Sequence, residues 1–568
     1  MITLGLSIFA DSSAGIIKDG EILCAVEEER LNRIKHYEGL PRLSVLECLN
    51  NAGLDYKEID RIAIGWNPLK GWTRRIGVSL ISSFFDMQFF TRKLLRGDNY
   101  IKGCKNILFL NKILGQDIKS NFQKKKIKYV NHHLAHSASA YLTSPFESAN
   151  IIVADGIGES ETISFFTGHE NRINKIKSIK YPHSLGHLYA SITGFLGFKM
   201  TSDEGKVMAL ASYGEDTYRE LFDDLVKTDY ENGTFRLNIK LLDYHLARNG
   251  IFKDEFIKKT GLGQRKKDGE INKKHKDLAC SLQRCIERVI FLLLRKSFPD
   301  AVGKPLCAAG GLFLNSVLNG KILTEFTDKY YVFPAAGDNG VSVGSALYLN
   351  SFGNSNFKKQ ILNDLSLGRL YGEEEILKAL KSYPVKYNKS QNIFDDTANL
   401  IVSGKVIGWF SGRMEFGPRA LGSRSILASA LSDKMKEKVN SKIKHREEFR
   451  PFACAVLRDE ADNYFENFQD SVFMLKVFRF KKSFANTFPA VSHVDNTCRI
   501  QTVTETNNPR FYKLLLKIKE LSGYGIVLNT SMNDNGQPIV NTPIEAVELL
   551  LKTDIEAMIL ENYMVTKL

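Results

Sequence analysis

Two short apolar runs in this chain each lead into a carboxylate set among glycines. Residues 151–154 (IIVA) pass directly into Asp155-Gly156, and residues 331–334 (YVFP) lead into Ala335-Ala336-Gly337-Asp338-Asn339-Gly340. Apolar runs of this length, bounded by turn residues, fit strands buried in an α/β sheet. Such sheets bind ligands beyond the carboxyl ends of their strands, so the pattern puts Asp155 and Asp338 where chemistry is expected. A chain of 568 residues exceeds what one hydrophobic core organises, so two or three domains are expected, and the 43% apolar composition supplies that many cores.

The eight cysteines (24, 48, 104, 280, 285, 307, 454 and 498) are scattered without a C-x-x-C pair, and no secretory signal pattern opens the chain. Reduced thiols and a cytoplasmic location are the expectation. No apolar run approaches the roughly 20 residues needed to cross a bilayer, so no membrane partner is expected. The formal charge of +14 raises the question of nucleic acid. Its lysines and arginines come in short scattered groups, such as 124–126 and 265–267, and no nucleic-acid-binding motif accompanies them. A solvated basic surface that favours phosphorylated small molecules is the preferred reading. A homodimer is compatible with all of this.

Along the chain, residues 2–7 and 15–22 read as β runs separated by a short Asp-Ser-Ser segment and closed by Asp19-Gly20, a hairpin pattern. Small hydroxyl and acidic residues at such a turn are how actin-like and sugar-kinase-like ATPase domains hold a phosphate. The aromatic and basic stretch 67–114 reads as helical, either a lid packed on the core or a membrane-surface segment. His132 and His136 follow the β-like run 126–130 and open a helix of small residues, so both imidazoles project from one face. That spacing suits a first-row metal, although an isolated pair reads first as capped or buried histidines. Asp155 and Asp338 would complete a two-His, two-Asp set, which favours iron or a similar divalent ion over structural zinc.

A helix over 277–296 carries apolar residues at 278, 282, 285, 286, 289 and 293 on one stripe. After it, Gly310 and Gly311 let the backbone approach a phosphate or adenosine closely, or simply form a tight turn. Lys206, in Asp203-Glu204-Gly205-Lys206, offers a cation beside a small-residue loop, or lies in a surface turn.

Taken in order, these motifs resemble the NodU/CmcH carbamoyltransferase family over nearly the whole chain. The matching segments are EEER at 27–30, HHLAHSASA at 132–140, PHSLG at 182–186, EGKVMALASYG at 204–214, AGGLFLNSVLNG at 309–320 and AAGDNG at 335–340. In the second half they are EFGPRALGSRSILA at 415–428, KHREEFRPFA at 444–453, SHVDNTCRIQTV at 492–503 and LNTSMNDNGQPIV at 528–540.

The resemblance implies an α/β architecture: an actin-like ATPase (TsaD-like) domain of two subdomains over 1–370, followed by a YrdC-like α/β domain over 371–568. The boundary is set near a Lys- and Glu-rich helix at 373–381. It implies an ATP-dependent O-carbamoyltransferase that converts carbamoyl phosphate and ATP into carbamoyl-adenylate, then moves the carbamoyl group to a hydroxyl of a small acceptor. That acceptor would be a sugar, nucleotide-sugar or specialised metabolite. Arg419, Lys444, Arg450 and Arg499 would clamp the anionic reactants, with Ser531 and Asn533 adding neutral hydrogen bonds. Lys444 and Arg450 would also take part in catalysis. His132, His136, Asp155 and Asp338 would hold a divalent metal, Fe2+ being expected, while Mg2+ accompanies ATP. Lys206, Gly310, Gly311 and Asn315 would hold the nucleotide.

One position departs from the family. Members usually carry a histidine before the aspartate of the first hairpin, the expected base for the acceptor hydroxyl, whereas this chain has Ala10 before Asp11. Alanine cannot accept a proton, so Asp11 is the first candidate for that role. A neighbouring histidine such as His36, an acceptor that needs no strong base, and an altered, catalytically impaired chain are the alternatives. A TsaD-like tRNA-modification or RNA-binding component, suggested by net charge, is the competing function.

Overall fold

The Asp19-Gly20 pair decides how the N-terminal strands are laid out. Both residues take left-handed backbone conformations, φ 51 and 97, which is what a two-residue hairpin connection requires. The run read as one strand over 15–22 is therefore two, β2 (Ser13–Lys18) and β3 (Glu21–Glu27), while β1 (Ile2–Ser7) pairs antiparallel with β2. The computed structural model describes residues 1–67, 70, 126–239, 241–242 and 252–568. The expected helical stretch 67–114 lies outside them, residues 67 and 70 apart.

The described chain forms two units. One comprises Met1–Ile22, Glu38–Leu49 and Gly53–Ile361; the other comprises Leu23–Tyr37, Asn50–Ala52 and Leu362–Leu568. Strand β3 begins in the first and carries the chain into the second.

The first unit repeats one sheet plan. In the first sheet, β1 is flanked by antiparallel β2 and by parallel β4 (Arg61–Ile64), which pairs in parallel with β5 (Lys126–Tyr129). In the second, β6 (Ser148–Ala154) is flanked by antiparallel β7 (Glu161–His169), with β8 (Arg172–Lys180) beyond it. After a small ribbon, β9 (Val226–Asp229) with β10 (Thr234–Leu237), come β11 (Leu306–Ala309), parallel to β6, and β12 (Tyr330–Val332), parallel to β11. An antiparallel pair continued by parallel crossover strands, used twice, is the duplicated plan of an actin-like α/β domain with two subdomains.

Helices His132–Tyr141 and Val341–Ser351 pack against each other in this unit. Their backbones approach so closely at Gly344 that an added Cβ would stand 2.0 Å from the Ala135 carbonyl oxygen. Helix Lys273–Ser297 is capped by Asn272 and buries all six expected apolar positions of its stripe.

The second unit is built on a nine-stranded mixed sheet. Its strands are β13 (Val385–Lys389), β14 (Ile407–Phe410), β15 (Arg424–Ser429), β16 (Ala453–Leu457), β17 (Lys476–Arg479), β18 (Thr497–Val503), β19 (Ile526–Ser531), β20 (Ala557–Leu560) and β21 (Tyr563–Lys567), in the order β13-β21-β20-β14-β15-β19-β16-β18-β17. Helices Ile393–Val402 and Pro509–Ser522 contribute Ile401, Phe511 and Leu515 to a core with Trp409, Val503 and Val527. The expected helix Glu373–Lys381 is present. Strand alternation places Arg499 and Gln501 of β18 on one face with Val503, and Asn529 and Ser531 of β19 on one face with Val527. The same face thus passes from apolar core to polar site.

Candidate active site

Three elements of the first unit converge on four side chains. Asn131 and the helix that follows present His132 and His136 one turn apart, and Asp155 leaves the end of β6. Asp338 opens the short turn before helix Val341–Ser351. One ligand atom from each lies within 4.8 Å of every other, close enough to share a metal ion. His132 Nε2 is 3.0 Å from Asp155 Oδ2 and 3.5 Å from Asp338 Oδ1, and His136 Nε2 is 3.3 Å from Asp155 Oδ2.

The surroundings fix the orientation of this cluster. His132 Nδ1 faces the Gly65 carbonyl oxygen at 3.2 Å, which orients the ring so that Nε2 is aimed at the carboxylates. The backbone N–H of His132 donates to Glu159 at 3.0 Å, and that of Asn67 donates to the same oxygen at 2.9 Å. A buried carboxylate thus pins the helix start to the chain leaving β4. Asp155 Oδ1 accepts the Gly156 N–H at 2.7 Å. Burial opposes ionisation of Asp155, but hydrogen bonds from His132 and His136 outweigh it and hold the carboxyl well below its ordinary pKa. The neighbouring His133 is held well below the usual histidine pKa, first by burial and then by His132, and its Nδ1 meets Ser164 Oγ at 2.8 Å.

Gly310 and Gly311 adjoin the same cluster. Gly310 has φ 97, and a Cβ there would stand 2.2 Å from the Ala154 carbonyl oxygen; one on Gly311 would be 3.2 Å from Asp155 Oδ1. Asn315 Nδ2 donates to Gln283 Oε1 at 2.8 Å, and its Oδ1 caps helix Ser316–Glu325 by accepting the Leu318 N–H at 3.0 Å. Lys206 Nζ sits 3.2 Å from Asp203. A small cavity beside the metal-type cluster is lined by Ser7, Phe9, Gly65, Trp66, His132 and Asp338. Ala10 and Asp11 continue directly from that wall, with Asp11 in a left-handed conformation, φ 41.

The second unit gathers cations. Lys444 ends a π turn, Asn440–Lys444, and is followed by the left-handed His445. Its buried ammonium donates to Asn533 Oδ1 at 2.7 Å, to the carbonyl oxygens of Ser531 and Asn533 at 2.8 Å each, and to Ser531 Oγ at 3.3 Å. The expected Lys444, Ser531 and Asn533 therefore meet. Burial, then repulsion from Arg446 and Arg450, holds Lys444 well below the ordinary lysine pKa.

Arg419, Arg450 and Arg499 lie near enough to repel one another. Burial, then Arg499 and Arg450, lowers the Arg419 pKa well below its ordinary value, and burial, with Arg450 adding to it, brings Arg499 down to about 10. The Nε atoms of Arg419 and Arg499 are buried without a hydrogen-bond partner. Guanidinium groups gathered in this way have the charge and donor geometry that suit a multiply charged anion.

Sequence reasoning missed several members of this site. Arg446 joins the cluster and lies over the Phe452 ring, 4.1 Å from its centroid. The EEER segment holds the loop that carries Arg419, since Glu27 accepts the Gly417 N–H at 2.6 Å and Arg30 donates to the Gly417 carbonyl oxygen at 2.7 Å. Arg33 similarly donates to the carbonyl oxygens of Pro538 and Ile539, beyond Asn533. No local signal in EEER points to these contacts, because Glu27 and Gly417, for example, lie 390 positions apart.

Both units match one family in sequence, with residues 2–347 corresponding to the carbamoyltransferase N-terminus and 398–567 to the carbamoyltransferase C-terminus. The chain belongs to the carbamoyltransferase family. This carbamoyltransferase is 36% identical to the uncharacterized protein sll1178 of Synechocystis sp., over 99% of this chain and 96% of that one. It is 34% identical to nodulation protein NolNO of Sinorhizobium fredii, over 98% of this chain and 79% of the relative. Nodulation protein U of Rhizobium fredii is 27% identical, over 96% and 92%. Among solved structures, HypF of T. kodakarensis overlaps 63% of this carbamoyltransferase and 48% of its own chain, at 13% identity and a TM-score of 0.32. Among the described residues no helix is long and apolar enough to cross a membrane.

Proposed function

We propose that this carbamoyltransferase works in two steps, making carbamoyl-adenylate from carbamoyl phosphate and ATP and then transferring the carbamoyl group to a hydroxyl of a small acceptor. The observation that carries the reading is the group of incompletely paired guanidiniums, Arg419 and Arg499 with Arg450 beside them, next to the buried ammonium of Lys444. Phosphate leaves carbamoyl phosphate as water adds, the resulting carbamate oxygen bonds to the α-phosphorus of ATP, and pyrophosphate departs. Fixed cations stabilise the charge that builds on the transferring and leaving phosphates without moving. Ser531 and Asn533, held by Lys444, contribute neutral hydrogen bonds.

In the second step the acceptor oxygen bonds to the carbamoyl carbon, its proton passes to a base, and AMP leaves. The hairpin turn at Asp11 supplies the base in place of the residue that Ala10 lacks. His132, His136, Asp155 and Asp338 fit a divalent ion such as Fe2+, because two nitrogens each about 2.0–2.1 Å from one ion stand roughly 3 Å apart. Such an ion, when bound, neutralises the adenylate phosphate and improves AMP as a leaving group. Gly310 lets its own backbone pass close against Ala154, and Gly310 and Gly311 with Asn315 and Lys206 are the residues that would hold the nucleotide beside Asp155. Mg2+ enters with ATP, and a sugar, nucleotide-sugar or specialised metabolite is the acceptor class.

The test incubates the protein with ATP and carbamoyl phosphate, follows pyrophosphate and carbamoyl-adenylate, and then screens hydroxylated acceptors. Folded protein that releases neither pyrophosphate nor adenylate sinks this reading.

A further inference from the structure

The loop that carries Arg419 is gripped from beneath by groups that do not themselves belong to the cationic cluster. Glu415 is 3% exposed, and its Oε1 accepts backbone N–H bonds from Leu421 at 2.9 Å, Ser423 at 2.7 Å and Arg424 at 3.1 Å. On the carbonyl side, Gln501 Nε2 donates to Leu421 at 2.7 Å, and Asn529 Nδ2 donates to Ala420 at 3.3 Å. Asn529 Nδ2 also lies 2.8 Å from Gln501 Oε1, so the two amides form one buried unit across β18 and β19. Both polar groups of Leu421 are thereby taken. Two residues before Arg419, Gly417 is held at both its N–H and its carbonyl.

Like charges that await an anion push each other apart, so a loose loop would relax by carrying Arg419 away from Arg450 and Arg499. A backbone fixed on both sides of Arg419 removes that escape and spares the ligand the cost of ordering it. Strand alternation adds a geometric link, because Gln501 sits two residues from Arg499 on the same face of β18, and Asn529 two residues from Ser531 on the same face of β19. The strands that present the anion-facing groups therefore also present the latch.

We infer that Glu415 and Gln501, with Asn529, are positioning residues that hold the Arg419 loop in the geometry of a preformed anion site. The inference rests on the reading of the cationic cluster as the site for carbamoyl phosphate and ATP.

The test uses the full chain with Glu415→Gln and Gln501→Leu, each alone and combined with Arg419→Ala. Inorganic pyrophosphate binding is measured by calorimetry, and KM and kcat for carbamoyl phosphate in adenylate formation are measured beside it. Each single variant should weaken pyrophosphate binding about tenfold and raise KM by a similar factor, with kcat changing much less, whereas in the Arg419→Ala background neither should weaken binding further. Amide exchange over residues 421–424 should accelerate in Glu415→Gln. Equal losses with and without Arg419, or no loss in either, would overturn the inference and leave these residues as core polar groups only. Should Glu415→Gln fail to fold, Gln501→Leu, which retains side-chain bulk, decides alone. Wild-type protein that binds pyrophosphate but forms no carbamoyl-adenylate sinks the functional reading and leaves the latch intact; wild-type protein that binds no pyrophosphate sinks the latch.

Discussion

The Nε2 atoms of His132 and His136 stand 3.1 Å apart, and both face the same Asp155 oxygen. Two ring nitrogens this close, aimed at one carboxylate oxygen with the His132 ring oriented by the Gly65 carbonyl, can serve a single cation as imidazole ligands. The cationic cluster lies in the other unit and uses none of these atoms. His136→Ala should therefore lower bound metal by on the order of tenfold or more in elemental analysis, while carbamoyl-phosphate-dependent pyrophosphate release continues. Lys444→Ala should do the reverse. Identical half-reaction profiles for the two variants would show that the division of labour is wrong.

Glu159 supports that metal-type cluster without belonging to it. It is 5% exposed, and one oxygen serves the N–H groups of both Asn67 and His132. Glu159→Ala would leave one buried donor at the start of the histidine helix and a half-buried one on Asn67, a loss of about 3 kcal/mol in chemical unfolding. Glu159→Gln keeps an acceptor and should lose roughly half as much. In both, metal affinity should fall about tenfold, because the helix start that aims His132 is released; unchanged affinity with lowered stability would limit Glu159 to a folding role.

Local pattern carried much of this into view and contact at a distance did not. The strand ends before Asp155 and Asp338, the i and i+4 histidines and the helix over 277–296, observed as Lys273–Ser297, follow from periodicity, and each is present because burial of one face is a local constraint. The single run over 15–22 became two strands because the turn at Asp19-Gly20 interrupts an otherwise uniform apolar pattern. Glu27 and Gly417 are 390 positions apart in sequence, and nothing in the residues around either specifies the other. The same holds for Gln501 beneath Leu421, whose partner lies 80 positions away. Glu415 shows a subtler limit: an acid in a glycine-rich loop reads as a surface residue until the fold shows that three backbone N–H groups converge on it.

Lys359 makes a pH prediction with a definite sign. Its Nζ lies 4.1 Å from the centroid of the Tyr141 ring, with Ser144 Oγ 3.3 Å away and the Phe146 carbonyl oxygen as a further acceptor. Burial, only partly offset by Cys307 and Glu147, pulls its pKa down to about 8. The unfolded chain holds that proton up to about pH 10.4, so between these values it binds more protons than the folded one and stability rises with pH. The penalty is complete below about pH 8. Lys359→Met should raise stability near neutrality and flatten the unfolding free energy between about pH 8 and pH 10. An unchanged slope in urea titrations across that range would show that Lys359 keeps an ordinary pKa.

The first turn holds the most direct test of catalysis. Phe9 packs at a tilt against Trp66 with ring centroids 5.0 Å apart, and Trp66 meets His132 edge-on at 5.1 Å, so the residues leading into Ala10 and Asp11 form one wall with the metal-type cluster. On the two-step reading proposed above, a base on this turn would serve an acceptor hydroxyl bound beside that wall. Asp11 is the proton-accepting side chain that the turn itself offers there. Asp11→Asn should slow carbamoyl transfer by about 10²–10⁴-fold, the usual contribution of a general base, with pyrophosphate release unaffected. Ala10→His places a second base beside the first and should change the transfer rate by no more than a few-fold while Asp11 is present, but should restore part of the rate in the Asp11→Asn background. Single-turnover transfer from preformed carbamoyl-adenylate separates this step from adenylate formation. A large gain from Ala10→His alone would show instead that Asp11 contributes little and that the natural chain runs without an effective base.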